Sequence, residues 1–270
     1  MSDNKKIAEL YDKKTKKENL NTLLAQSDGL LFNHNGIILP GEKIETYSAR
    51  VNDEKSRLEV LHQMEKNLVA LGEKYIMAQN GAIGLDAGCG AGGAGILIAK
   101  KGFVIEGVTL SKEQANYANN CSAKHRVAEY AKFFVGDMLK LPCKDAHYSF
   151  IWACESTEHI SNLAALFKEF RRVAKNGARL ILITWSAKDL SVKKKVDEHY
   201  LTDIHSKQEY LDMALKQDWL ILEQVNLKEL TSPYWGVRSQ SMNKTGSEQF
   251  MAPGFASGAL EYWLFVFEKS

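Results

Sequence analysis

The chain predicts an open, doubly wound α/β sheet of seven mostly parallel strands, with helices on both faces and a helical region ahead of it. Three observations carry that expectation. From residue 83 onward, short apolar runs alternate with helix-like stretches, the pattern of parallel strands joined by crossover helices. The first apolar run ends in a glycine-rich turn that opens a helix, as a ligand-binding βα turn does. Finally, 270 residues that are 45% hydrophobic can bury one large core, and four prolines offer no obvious hinge for a second domain.

Taken in order, residues 1–80 read as mainly helical. They break at FNHNGIILPGE (residues 32–42), where the NHNG composition predicts a tight turn, and resume in the amphipathic stretch SRLEVLHQMEKNLVALGEKYI. Residues 81–185 hold the runs IGLDAGCG, FVIEGVTLS, AKFFVGDM, YSFIWACES and RLILITWS. Residues 186–230 read as polar and helical before the strand WLILEQVNL, and residues 231–270 close with the strand LEYWLFVFEK. No internal repeat or low-complexity tract interrupts this single unit.

A formal charge of +2 is too small for wholesale attraction to nucleic acid or membrane. Lys5, Lys6, Lys13, Lys14, Lys16 and Lys17 nevertheless make the N-terminus locally basic, as a solvated helix face or a surface packed between subunits would be. A homo-oligomer thus stays open. Four cysteines at spacings that fit neither a zinc site nor a disulfide framework read as reduced thiols. With no apolar leader after Met1 and no run of about 18 apolar residues, a cytoplasmic protein without a membrane span is expected.

In IGLDAGCGAGGAG (residues 83–95), glycines permit tight turning and let a ligand approach bare backbone at a helix N-terminus. Gly88-x-Gly90-x-x-Gly93 also satisfies a nicotinamide or flavin fingerprint on spacing alone. The second strand, however, ends in GVTLS without the terminal acid that would hold a dinucleotide ribose, and Glu106 lies three residues before that end. Asp86, two residues before the first glycine, makes the pattern D-x-G-x-G. This resembles the first motif of the Rossmann-like class I S-adenosylmethionine (SAM) methyltransferases, in which the loop holds the methionine end of the cofactor.

GVTLSKEQANYANN (residues 107–120) is similar to the matching stretch of cyclopropane fatty acid synthases, tocopherol-type methyltransferases and prenyl diphosphate methyltransferases. The resemblance implies that Asp86, Gly88 and Gly90 hold SAM, that Thr109, Leu110, Ser111 and Gln114 meet its ribose, and that Asp137 and Met138 meet adenine. Ser111 also reads as an ordinary helix N-cap. Nucleic-acid methylation is disfavoured, since no Asn/Asp-Pro-Pro-aromatic motif follows the fourth strand.

The fourth strand ends in ACESTEH (residues 153–159). Ligands of such sheets lie outside the carboxyl ends of strands, so Glu155 is placed for chemistry; acidic residues at the positive end of a helix dipole are the alternative for Glu155 and more so for Glu158. ESTEH, HYLTDIHSKQEYL (residues 199–211) and SPYWGVRS (residues 232–239) together resemble bacterial prenyl diphosphate C-methyltransferases. That likeness implies methylation of an isoprenoid diphosphate alkene through a carbocation, with Glu155 as base and Tyr200 and Trp185 as catalytic aromatics. A diphosphate also needs positive charge and donors, for which Asn33, His34, Asn35, Arg50 and Arg238 are the available groups, with Tyr234 and Trp235 as further aromatic candidates at the substrate; the resemblance places His205 near the diphosphate and implies Mg²⁺ held through it, with no metal bound by the protein alone.

On this reading residues 1–80 form an N-terminal cap, 81–185 the SAM-binding core, 186–230 a helical substrate cap and strand, and 231–270 a pocket segment with the last strand. Bulky Trp185 and Tyr200 favour a five-carbon acceptor such as isopentenyl diphosphate over geranyl diphosphate. Cys154, where an Asn is usual, and Glu158-His159 depart from the geranyl-enzyme pattern. A SAM enzyme acting on another lipid, phenol or small molecule is the alternative.

Overall fold

The computed structural model describes residues 3–270. Four helices precede the sheet: α1 (Asp3–Lys16), α2 (Leu20–Leu24), α3 (Ile44–Ser48) and α4 (Glu54–Glu73). Seven strands then form one sheet: β1 (Ile83–Ala87), β2 (Val104–Thr109), β3 (Ala131–Val135), β4 (Tyr148–Cys154), β5 (Ala174–Ala187), β6 (Trp219–Asn226) and β7 (Leu260–Lys269). Between them run α5 (Gly93–Ala99), α6 (Lys112–Lys124), α7 (Leu163–Val173), α8 (Leu190–Tyr200), α9 (Lys207–Lys216), α10 (Lys228–Arg238) and α11 (Glu248–Ser257).

The strand order is β3-β2-β1-β4-β5-β7-β6. β1 to β5 pair in parallel, and β7 inserts antiparallel between β5 and β6. The order reverses between β1 and β4, which opens a crevice at their carboxyl ends. Alternation along the strands divides the core. Phe150, Trp152, Ile181, Ile183 and Trp185 join Met64 and Leu68 of α4 on one face, whereas Ile151, Ala153, Leu180 and Leu182 join Phe167 and Phe170 of α7 on the other.

The segment FNHNGIILPGE departs from expectation. Asn35, Ile37 and Ile38 are buried, and Gly36 is not among the positive-φ glycines, so NHNG is no tight left-handed turn. The chain runs between α4 and α10: Ile37 N–H donates to Met64 O (2.9 Å), Ile38 N–H to Leu230 O (3.0 Å), and Thr231 Oγ1 to Gly36 O (2.9 Å). A buried loop must have its backbone groups satisfied in this way.

A Cβ on Gly36 would lie 2.5 Å from Tyr234 Cδ2 and 2.8 Å from the Met64 main-chain carbon. Gly36→Ala is therefore expected to lower unfolding free energy by about 1–3 kcal/mol through overpacking. Chemical denaturation at constant m-value measures it, and an unchanged midpoint would show that the loop can shift away from α4.

Candidate active site

Three glycines after β1 hold left-handed backbone: Gly88 (φ 72°), Gly90 (φ 52°) and Gly92 (φ 82°). They turn the chain into α5 and leave its N-terminal backbone bare. Asp86, at the end of β1, is buried; its Oδ2 has no partner among the described residues, and burial pushes its pKa up to about 7. A cleft opens over this loop. All nine residues assigned to the cofactor from sequence line it: Asp86, Gly88, Gly90, Thr109, Leu110, Ser111, Gln114, Asp137 and Met138.

The donors and acceptors in that cleft are already organised. Thr109 Oγ1 donates to Gln114 Oε1 (2.7 Å), and Ser111 Oγ, the N-cap of α6, accepts from Gln114 N–H (3.1 Å). Asp137 accepts from Leu139 N–H and from Asn4 Nδ2, each at 2.8 Å. Glu106, which a dinucleotide fingerprint would need at the ribose, instead accepts from Tyr148 Oη (2.9 Å) and faces His147. The orphaned Asp86 oxygen, bare glycine backbone and small hydroxyl groups fit an amino-acid nucleoside such as SAM; when bound, that cofactor supplies an electrophilic methyl group on a positive sulfur.

Glu155 follows β4 in left-handed backbone (φ 47°), an uncommon state for a residue with a side chain. Its N–H extends β4 pairing to Ile183 O (2.8 Å). Its Oε1 accepts from Asn35 N–H and from Tyr262 Oη, both at 2.6 Å. Burial, and next the nearby Glu158 carboxylate, push the Glu155 pKa up to about 8. Glu158 is buried as well, with a pKa pushed by burial to about 7; Oε1 accepts from Trp185 N–H (3.0 Å) and Oε2 has no partner among the described residues. Backbone strain and raised carboxyl pKa values at one cleft are the marks of a functional site.

Glu155 also lines a second cavity beside this cleft. Asn33, His34, Asn35, Glu158, Trp185, Tyr200, Tyr234, Trp235 and Arg238 line it too. The ring centroids of Trp185 and Tyr200 lie 5.2 Å apart, and the indole N–H groups of Trp185 and Trp235 have no hydrogen-bond partner among the described residues. Burial pulls the His34 pKa down to about 4, so its ring is neutral at physiological pH.

Two residues assigned to the substrate from sequence lie elsewhere. Arg50 is exposed just beyond α3 and lines neither cavity. His205 is buried behind the site: its Nε2 bonds Ile160 O (2.8 Å), its Nδ1 faces Glu209, and it lines neither cavity.

Other lining residues carry no local motif in the sequence. Tyr11 and Lys14 of α1 line the second cavity, with Lys14 Nζ 4.7 Å from the Tyr200 ring centroid. Burial, and then Arg238, pull the Lys14 pKa down to about 8. Ile7, Tyr11 and Lys14 fall on one face of the helix, so an apolar-aromatic stripe ran through the lysine-rich segment. The basic N-terminus is thus only partly a solvated face. Tyr262, facing Trp185 across the β5–β7 pair, read only as a strand residue.

The open sheet, the glycine loop and the cleft at the reversal of strand order define a class I SAM-dependent methyltransferase. Residues 85–182 match the protein family described as Methyltransferase domain. Over 93% of this chain and 88% of its own length, the geranyl diphosphate 2-C-methyltransferase of Streptomyces ambofaciens is 30% identical. The enzyme of that name from Saccharopolyspora erythraea is 28% identical over 97% of this chain and 93% of its own. A crystal structure of geranyl diphosphate C-methyltransferase from Streptomyces coelicolor, in complex with Mg²⁺, geranyl-S-thiolodiphosphate and S-adenosylhomocysteine (SAH), superposes with a TM-score of 0.91 and 27% identity, covering 100% of this chain and 99% of that one. The chain belongs to the geranyl diphosphate C-methyltransferase family.

Among the described residues, no helix is long and apolar enough to cross a membrane.

Proposed function

We propose that this chain methylates an alkene carbon of an isoprenoid diphosphate, with SAM as donor and Glu155 as base. One observation carries the reading: a buried carboxylate, a set of aromatic rings and two cationic side chains, Lys14 and Arg238, line one cavity that opens beside the cofactor cleft. The names of the relatives, and the diphosphate analogue held by the Streptomyces coelicolor enzyme, support the same class of acceptor.

Each part answers a step of the chemistry. An alkene that accepts a methyl group becomes a tertiary cation, which must be shielded from water and then lose a proton. The faces of Trp185, Tyr200 and Trp235 stabilise such a desolvated cation by about 2 kcal/mol each without capturing it. Glu155, raised in pKa by burial, becomes a carboxylate when positive charge arrives, because opposite charge offsets desolvation; it then takes the proton. Asn35 N–H and Tyr262 Oη hold one oxygen of that base and leave the other for the substrate. Lys14 and Arg238 supply positive charge for the diphosphate. Mg²⁺ would be held through the diphosphate oxygens and water; no cluster of three or more His, Cys, Asp or Glu side chains suited to a metal occurs among the described residues.

The close Trp185–Tyr200 pair favours a five-carbon acceptor such as isopentenyl diphosphate. The test is mass spectrometry of products from purified protein given SAM, Mg²⁺ and, separately, isopentenyl, dimethylallyl, geranyl and farnesyl diphosphates. A gain of one CH₂ is expected on isopentenyl diphosphate, with Tyr200→Ala shifting preference toward geranyl diphosphate. Wild-type preference for geranyl diphosphate would remove the five-carbon reading. No methylated diphosphate at all would remove the acceptor class and leave phenols, other lipids or small metabolites.

A further inference from the structure

Arg238 of α10 is 5% exposed, and its guanidinium is almost fully engaged. Nε donates to Glu248 Oε1 (3.1 Å), one terminal nitrogen to Tyr234 Oη (3.0 Å), and the other to Asn21 Oδ1 (3.1 Å) and Thr245 Oγ1 (3.4 Å). Of five N–H groups, these bonds among the described residues leave one, on the Tyr234-bound nitrogen, for a ligand. Whatever fixes Tyr234 therefore fixes where that last donor points.

Tyr234 Oη donates to Glu65 Oε1 (3.0 Å). The other Glu65 oxygen faces His62 Nδ1 at 3.4 Å, His62 Nε2 faces Asp28 Oδ1 at 3.0 Å, and Lys66 Nζ closes the chain on Asp28 Oδ2 at 2.6 Å. Glu65 is 1% exposed and lines neither cavity. Both ring nitrogens of His62 face carboxylate oxygens, so the imidazolium satisfies both and a neutral ring would set a lone pair against one of them. The charged or titratable groups around His62 are Glu65 and Lys66 from its own helix and Asp28 and His34 from the segment after α2.

We propose that Glu65 is a positioning residue that acts through the Tyr234 hydroxyl to aim Arg238 at the anionic end of the acceptor, and that protonated His62 holds the Glu65 carboxylate in place for this task. The proposal rests on the diphosphate reading above. Its direction with pH follows from the geometry and agrees with the titration of the two groups. Burial lowers the His62 pKa, but the bonds to Asp28 and Glu65 outweigh it and leave the net shift upward; burial also holds the Glu65 pKa above the ordinary carboxylate range. As pH rises and His62 loses its proton, the neutral ring sets a lone pair against one of the two carboxylates, and Glu65 is no longer held in place as the acceptor for Tyr234.

The test compares wild type, Glu65→Gln, the isosteric Tyr234→Phe and His62→Gln. Tyr234→Phe is expected to raise KM for the diphosphate acceptor by about tenfold or more, as loss of a hydrogen bond to a charged group does, with kcat within a few-fold and SAH affinity unchanged. Glu65→Gln should move KM in the same direction. Between pH 6 and 9 the wild-type KM should rise more steeply than that of His62→Gln, which lacks the titrating ring. Unchanged KM in Tyr234→Phe, or parallel losses in KM, kcat and SAH binding, would make the chain merely structural and overturn the proposal. If wild type turns over no isoprenoid diphosphate, the acceptor reading fails by itself. The chain is then read by calorimetry of inorganic pyrophosphate with the SAH-loaded enzyme: about tenfold weaker binding by Tyr234→Phe upholds it, and equal binding overturns it.

Discussion

Glu155→Gln is expected to lower kcat by about 10²–10⁴-fold, the range for loss of a positioned general base, while SAH affinity changes only a few-fold. The amide keeps the shape and can still accept from Asn35 N–H and Tyr262 Oη, but it cannot take a proton from a cation. The same variant should be more stable than wild type in alkaline solution. The pKa of Glu155 rises from its ordinary 4.5 to about 8 in the folded, ligand-free protein. Between those values the folded state binds more protons than the unfolded state, so wild-type stability falls as pH rises through that window. The amide of Glu155→Gln does not titrate and has no such dependence. After discounting for relaxation around a buried group, the gain is on the order of 2 kcal/mol near pH 8, or a rise of a few degrees in Tm that shrinks toward zero near pH 4.5. Thermal denaturation at pH 5 and pH 8 reads it; a Tm difference equal at both would show that the carboxylate is not destabilised by burial.

Gly88→Ala should remove cofactor binding. The new side chain meets two obstacles: left-handed backbone (φ 72°), which costs a non-glycine residue about 1–2 kcal/mol, and Ser156 Cβ at 2.3 Å. Ser156 is tied down by donation from its Oγ to Ala87 O (2.7 Å), so the Cβ pushes the glycine loop away from the turn that carries Glu155. SAH affinity is expected to fall about 100-fold (~3 kcal/mol) from strain plus clash, read by calorimetry. Gly177→Ala isolates the strain, because Gly177 has nearly the same backbone (φ 73°) but nothing within 4 Å of the added Cβ; it should lower Tm and leave SAH affinity alone. Adding Ser156→Gly to Gly88→Ala should restore part of the binding. A Gly88→Ala protein that binds SAH like wild type would mean that the loop has room to rearrange.

What could be read from sequence divides along the range of the interactions. β1, its glycine turn and the Ser111 cap depend on residues a few positions apart, and alternation or spacing carries them. Glu155 was legible because a carboxylate after an apolar strand needs a reason. Arg50 and Arg238, by contrast, look alike as residues. Only tertiary packing turns one to solvent and threads the other among Glu248, Tyr234 and Asn21. His205 sits in a helix-capping context that resembles a binding motif, yet Ile160 O and Glu209 claim both its nitrogens. NHNG has the composition of a turn, but long-range bonds to α4 and α10 tie Gly36 and the two residues after it into the core. Lys14, Tyr11 and Tyr262 come to the site from the two ends of the chain, where no local pattern announces a destination.

The first helix bears on both chambers. Asn4 bonds Asp137 and Asp12 accepts from Ser111 Oγ, so α1 is fastened by side chains whose neighbours on the cleft wall would also greet a nucleoside. Tyr11 meanwhile joins His159 at the junction of the two cavities. One helix thus supplies wall to both chambers, so any change in how it is seated is felt by the donor and by the acceptor at once.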